Sequence, residues 1–210
     1  MAHLDQAQSQ TRMSGTGGQV TSLVERARGG DREAFGRLVE LFQGPIFRMV
    51  YYRTRLPMDA EDLTQEIFVK AFKNLSKLRD PKRFRTWLFR MAVNRVADFY
   101  RKKRLLAIFK TRDQDGEKDS KEAEAQQEAP SALDDVIKEE FWKHVTSFSE
   151  NLSRREKEVF FLRFMDHLSI REIAQVLDRS ESAVKTHLYR GLKKFKEDPS
   201  LLQLLEASRP

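Results

Sequence analysis

The sequence predicts an all-α protein: two small helical domains joined by a flexible acidic linker. Three observations carry this. Apolar residues recur at three- and four-residue spacings through most of the 210 residues, and no stretch alternates as a half-buried strand does. Two Ser-x-x-Glu boxes, Ser153 to Glu156 and Ser169 to Glu172, mark helix starts in the second half. Between the halves, residues 111–135 hold nine acids against three bases and almost no large apolar side chain. Such a segment cannot bury enough surface to offset its chain entropy.

Residues 1–20 are polar and rich in Gly, Ser and Thr, and read as a disordered tail. The first domain spans 21–110. Asp31 is placed to cap a helix whose Phe35, Leu38, Val39 and Phe42 fall at helical spacing. Pro57 breaks the chain. The next helix is expected to start with Asp59 as its N-cap, and to bury Leu63, Ile67, Phe68, Ala71 and Leu75. Asp80-Pro81 marks a loop. The last helix of the domain opens at Phe84, with Leu88, Ala92, Val96 and Phe99 as its buried stripe.

After the linker, 136–197 form the second domain. The boxes open "EKEVFFLRFM" and "REIAQVL"; a short turn, Asp178-Arg179-Ser180, leads into "ESAVKTHLYRGLKKFKE". Residues 198–210 are left as a tail with an apolar run, Leu201, Leu202, Leu204 and Leu205.

Composition removes several function classes. There is no cysteine, hence no disulfide, thiolate metal site or thiol redox chemistry. His3, His144, His167 and His187 form no ligand spacing such as H-E-x-x-H, and no glycine-rich loop cradles phosphate. No catalytic residue, metal or cofactor is therefore expected, and the chain does not read as an enzyme. No run approaches the roughly 20 apolar residues of a membrane span, and the N-terminus lacks the apolar core of a signal peptide. The expected compartment is the cytoplasm. A net charge of +7 favours a polyanionic partner.

The segment "FRTWLFRMAVNRVADFYRKKR" sharpens that. From Lys82 to Lys110 ten basic residues face one acid, Asp98. Rings are interleaved, with Trp87 and Tyr100 as candidate stacking surfaces and core packing as the competing role of each ring. Stacking an unpaired base on a ring is worth about 1–3 kcal/mol, comparable to the few kcal/mol that unstacking one costs. Rings and cations together can thus hold a short stretch of duplex open. The preceding helix has the opposite character. Asp59, Glu61, Asp62, Gln65 and Glu66 precede Lys70, with no adjacent base to pair with them. Acids near a helix start complement its dipole, but here they also repel DNA and suit a basic partner.

In the second domain, two helices joined by a three-residue turn suit a major-groove reader. Val184, Leu188, Leu192 and Phe195 share one face, to pack on Ile173 and Leu177. The other face carries Glu181, Ser182, Lys185, Thr186, Tyr189 and Arg190, with Lys193, Lys194 and Lys196 extending the charge. A plain helical hairpin with a solvated polar face is the competing reading.

"DAEDLTQEIFVKAFKNL", then "FRTWLFRMAVNRVADFYRKKR", then "LSIREIAQVLDRSESAVKTHLYRGLKKFKE" together resemble a bacterial RNA polymerase sigma factor of the extracytoplasmic-function (ECF) group. The resemblance covers 21–110 as sigma region two and 136–197 as region four. It implies a protein that binds core RNA polymerase, directs it to promoter DNA and melts the minus-ten element, with an anti-sigma factor as a further partner. It places core polymerase binding at Asp62, Gln65, Glu66 and Phe68. Minus-ten DNA falls to Leu78, Arg79, Lys82, Arg83, Trp87, Arg90, Asn94, Arg101 and Arg104, with Leu78 and Asn94 at a pocket for one flipped base. Minus-thirty-five DNA falls to Arg171, Ser182, Lys185, Thr186, Tyr189 and Arg190. The family often carries Phe where Leu78 stands. It commonly shows Gly-Thr-Val-Arg-Ser-Arg where this chain has Ser182-Ala183-Val184-Lys185-Thr186-His187, and lysine for arginine weakens bidentate guanine readout. The alternative is a helix-turn-helix regulator acting without polymerase. The acidic block and the whole first domain count against it.

Overall fold

The computed structural model of the protein describes residues 17–112, 144–145 and 147–198, with side chains of 109–112 left aside. Among these residues every regular element is helical. They fall into two compact units, taken here one at a time. The expected linker beyond residue 112, most of both expected tails and the start of the second domain lie outside the described residues.

The first unit begins with α1, residues 17–28, so the last four residues of the expected N-terminal tail are helical. The chain turns at Gly30, whose φ of 99° lies in the region that favours glycine. Asp31 then caps α2 (Arg32–Thr54) as its position predicts, accepting from the Ala34 N–H at 2.9 Å. That bond, and the Arg26 guanidinium at 2.7 Å, hold the Asp31 carboxyl below its ordinary range. α2 continues through Pro45, which forfeits one backbone bond, because Phe42, Ile46, Met49 and Val50 are buried on either side of it.

The start of α3 (Pro57–Asn74) corrects the sequence reading. Pro57 is the first residue of this helix, and the cap is Leu56, which offers no side-chain bond. Proline's fixed φ and missing N–H suit the first helical position. Asp59 sits inside the first turn and complements the dipole there. Leu63, Ile67, Phe68, Ala71 and Leu75 are all buried, as expected.

Two short 3-10 turns, Leu75–Lys77 and Pro81–Arg83, follow, the second capped by Asp80 accepting from the Lys82 N–H. α4 (Phe84–Arg112) runs eight residues past Arg104 and two into the expected linker. Phe84, Leu88, Phe89, Ala92 and Val96 are buried among α2 and α3, and Phe99 is half-buried. Fully burying a side chain such as Leu88 is worth about 1.5–3 kcal/mol.

The second unit is smaller. A first helix, α5, is described at residues 144–145 and 147–150. α6 (Arg154–Phe164) and α7 (Ile170–Leu177) each open with the capping box read from the sequence, Ser153 with Glu156 and Ser169 with Glu172. Asp178 ends α7 with φ 54°, and Ser180 caps α8 (Glu181–Glu197) by accepting from the Ala183 N–H. Val145, Phe148, Leu152, Phe160 and Phe161 form the core, with Met165 and Phe195 packed against it.

Candidate nucleic-acid interface

In the first unit the buried stripe of α3 fixes what the helix can show outward. With Leu63, Ile67 and Ala71 inside, Asp62, Gln65 and Glu66 are exposed on the opposite side. Phe68 is not among them. It is 7% exposed and packs into the core behind the exposed acids. The acids are also not free of cations. Glu66 is paired with Arg95 of α4, a residue with only 17% side-chain exposure. The Arg95 bond lowers the Glu66 carboxyl below its usual range against the opposing effect of burial. Sequence inspection missed this pair because 29 residues separate the partners.

α4 turns two different faces outward and inward. Arg90, Asn94, Arg101 and Arg104 are exposed on the side opposite Leu88, Ala92 and Val96. Arg101 is paired with Asp98 and Arg83 with Asp80, the latter at 3.4 Å. Arg79 and Lys82 are exposed. The rings divide between the two faces. Phe84 and Phe89 are core; Trp87 is half-buried with its ring 5.9 Å from Phe84. Tyr100 is 39% exposed, but its hydroxyl donates to the Arg53 carbonyl and pins it to the end of α2. Burial, with the charge of Asp59 as the lesser cause, raises its phenol. Leu78, expected at the base pocket, lies inward. It is 5% exposed, and its N–H bonds the Leu75 carbonyl at 3.1 Å. Asn94, the other residue expected at that pocket, is exposed.

In the second unit the residues expected at the minus-thirty-five element lie on α7 and α8. Arg171 of α7 and Ser182, Lys185, Thr186, Tyr189 and Arg190 of α8 are all exposed, Tyr189 to 71%. Val184 is buried on the opposite side, with Leu188, Leu192 and Phe195 half-buried. The Thr186 hydroxyl donates to the Ser182 carbonyl at 3.0 Å, which holds its methyl and oxygen in one orientation on the face. Lys194 does not extend the positive face. Its ammonium donates to the Asn151 carbonyl at 3.0 Å and to Glu156 at 2.8 Å. The Lys194 bond is the main reason the Glu156 carboxyl, with only 7% side-chain exposure, falls to about 2; bonds from Ser153 add to it, against burial. His187, on the same helix, is half-buried with its Nδ1 lacking a hydrogen-bond partner among the described residues.

Among the described residues no three His, Asp or Glu side chains converge as metal ligands. No described helix is long and apolar enough to cross a membrane. An exposed helix of cations, hydroxyls and one ring, set on a helix-turn-helix with capped ends, defines a DNA-reading domain; the first unit adds a second cationic helix beside an acidic one.

Family models agree with both units. Residues 38–105 match sigma-70 region 2, and residues 147–195 match sigma-70 region 4. The chain is 33% identical over 177 residues to the ECF RNA polymerase sigma factor BldN of Streptomyces coelicolor, covering 83% of this chain and 64% of that one. It is 32% identical over 175 residues to the ECF RNA polymerase sigma-E factor of Escherichia coli K12, covering 80% of this chain and 88% of that one. Among solved structures, CnrH in complex with the cytosolic domain of CnrY aligns with a TM-score of 0.62 at 25% identity, over 90% of this chain and 99% of that one. The chain belongs to the ECF RNA polymerase sigma factors.

Proposed function

We propose that the chain binds core RNA polymerase through the exposed acids of α3, Asp62 and Glu66 with Gln65 beside them. In that assembly α4 holds and opens the minus-ten element, while α7 and α8 read the minus-thirty-five element. The observation that carries this is the separation of charge inside the first unit. α3 exposes Asp62 and Glu66, whereas α4 exposes Arg90, Asn94, Arg101 and Arg104 opposite its buried stripe. A regulator that bound an operator alone would need neither the acidic helix nor the first unit. Arg90, Arg101 and Arg104, with Arg79, Lys82 and Arg83 before them, serve the DNA backbone in closed and open forms alike. Asn94 offers a donor and an acceptor to a base edge freed by unpairing, and Trp87 braces the opened duplex. The protein acts in the cytoplasm with the polymerase, and an anti-sigma partner withholds it.

The test is a gel shift on promoter DNA with and without core polymerase. Tethering makes two weak sites one strong one only when both are held at the right spacing, so the chain alone should bind weakly and the holoenzyme tightly. Tight, sequence-specific binding by the isolated chain overturns the reading. Permanganate reactivity of the same complexes tests the division within α4. Asn94→Ala should keep the closed complex and lose thymine reactivity.

A further inference from the structure

The outward face of α8 is not uniformly polar. Lys185, Thr186, Tyr189 and Arg190 are exposed, with Val184 and Gly191 buried and Leu188 and Leu192 half-buried behind them. At about 3.6 residues per turn, Thr186 and Tyr189 stand opposite the buried side, in the middle of the face, and Lys185 and Arg190 flank them on either side. The Cβ atoms of such a pair, three residues apart, are about 5–6 Å from each other. The Tyr189 ring is 71% exposed, so the core does not call for it. The Thr186 hydroxyl donates its one proton to the Ser182 carbonyl at 3.0 Å. Thr186 therefore has a methyl group and an acceptor left to offer, and no donor.

The residue types that α8 lacks narrow what the pair can recognise. In the major groove adenine is ordinarily read by Asn or Gln, bonding N6 and N7 together. The helix carries neither, and Arg190 is its one arginine. Lysine and arginine suit guanine or phosphate, and neither contact picks out an A·T pair. What an apolar surface can recognise on an A·T pair is the C5-methyl group of thymine.

We propose that Tyr189 and Thr186 form a receptor for thymine methyl groups, so that α8 selects A·T pairs through the pyrimidine rather than the purine. The proposal rests on reading α7 and α8 as the minus-thirty-five face. A methyl group seated on the ring or on the Thr186 methyl takes apolar surface of both partners out of water. The cations on the two flanks suit the phosphate walls of the groove, which leaves the middle pair over its floor. A protein partner on Tyr189 is disfavoured as the occupant, because the ring stands alone among Lys185, Arg190 and Lys193, all exposed.

The test is equilibrium binding of the holoenzyme to promoter duplexes in which each thymine of the upstream element is replaced by uracil, one at a time. Uracil lacks the methyl group and keeps the base pairing and the groove's donors and acceptors. Burying one methyl is worth about a fourfold change in affinity, so wild type should lose about that much at one or two thymines. Tyr189→Ala should bind the unmodified promoter about tenfold more weakly and stop distinguishing uracil from thymine where the ring lies. Thr186→Ser keeps the hydroxyl and should lose discrimination at its own thymine; Thr186→Val keeps a methyl and should retain it. Circular dichroism confirms that each variant folds. Equal wild-type affinity for thymine and uracil at every position overturns the proposal. Discrimination that persists undiminished in both Tyr189→Ala and Thr186→Ser overturns it too, since the methyl groups are then sensed elsewhere. If Lys185→Ala with Arg190→Ala leaves promoter affinity unchanged, α8 is not the reading helix; the reading beneath the proposal then fails, a different result from the other two.

Discussion

The two units solve the same problem by different means. The first packs helices of 23, 18 and 29 residues, α2, α3 and α4, around Leu38, Ile46, Met49, Ile67, Phe84 and Leu88. Its ion pairs lie toward the surface; Glu66, for one, keeps 54% side-chain exposure, and a pair of that kind is worth under about 1 kcal/mol. The second works with helices of 11, 8 and 17 residues. A helix of eight residues has few core positions, so its ends have to be satisfied by side chains. Hence two capping boxes, a capping Ser180, and a buried carboxylate tied to Lys194. Long helices can rely on apolar burial; short ones depend on polar bonds at their ends.

The strongest challenge to that contrast is an apolar truncation in the first unit. Leu88→Ala should cost it about 2–5 kcal/mol, read from urea titrations followed by amide resonances of that unit, while resonances of the second unit keep their midpoint. A common shift of both would mean the units unfold together.

Acid should find the second unit first. The Glu156 carboxyl is depressed from 4.5 to about 2 in the folded protein. A depressed carboxyl stabilises above its unfolded value and loses that stability as pH falls through the folded one. The second unit should therefore weaken between about pH 4.5 and 2, by about 3 kcal/mol in total. Glu156→Gln should forfeit a similar amount at pH 7 and flatten the pH dependence. Resonances of the second unit that ignore acid down to pH 2.5 would show that the pair contributes nothing.

A smaller effect sharpens the functional side of the comparison. Arg190→Ala should weaken upstream-element recognition by about 1–3 kcal/mol if its guanidinium touches bases. If it touches phosphate alone, all sequences should lose affinity alike and the salt slope should fall by about 1. Unchanged affinity and slope would remove Arg190 from the interface.

What could be read in the sequence was what depends on neighbours along the chain. Ser153 with Glu156, Ser169 with Glu172 and Asp31 with Ala34 are all three residues apart, and each cap stands where the pattern puts it. The reading face of α8 follows from helical spacing alone. Pro57 was legible as a boundary but misread as a break rather than a first helical residue. Family motifs mark positions without saying which side of a helix is buried, and the burial of Phe68 and Leu78 was not legible from them. The Glu66–Arg95 and Glu156–Lys194 pairs span 29 and 38 residues, so no local pattern carries them.

Glu156 carries one further consequence, in the language of local opening. Its Oε2 accepts from the Ser153 N–H at 2.9 Å and from the Lys194 ammonium at 2.8 Å, so one oxygen closes the start of α6 and anchors the far half of α8. Helix ends ordinarily fray independently, each exchanging its amide hydrogens on its own schedule. Here the end of α6 cannot fray without freeing Lys194, and α8 cannot lift without loosening the α6 cap. The amides of Ser153 and of the last turns of α8 should therefore exchange as one group, with a shared opening free energy. Two frays become a single event governed by one carboxylate.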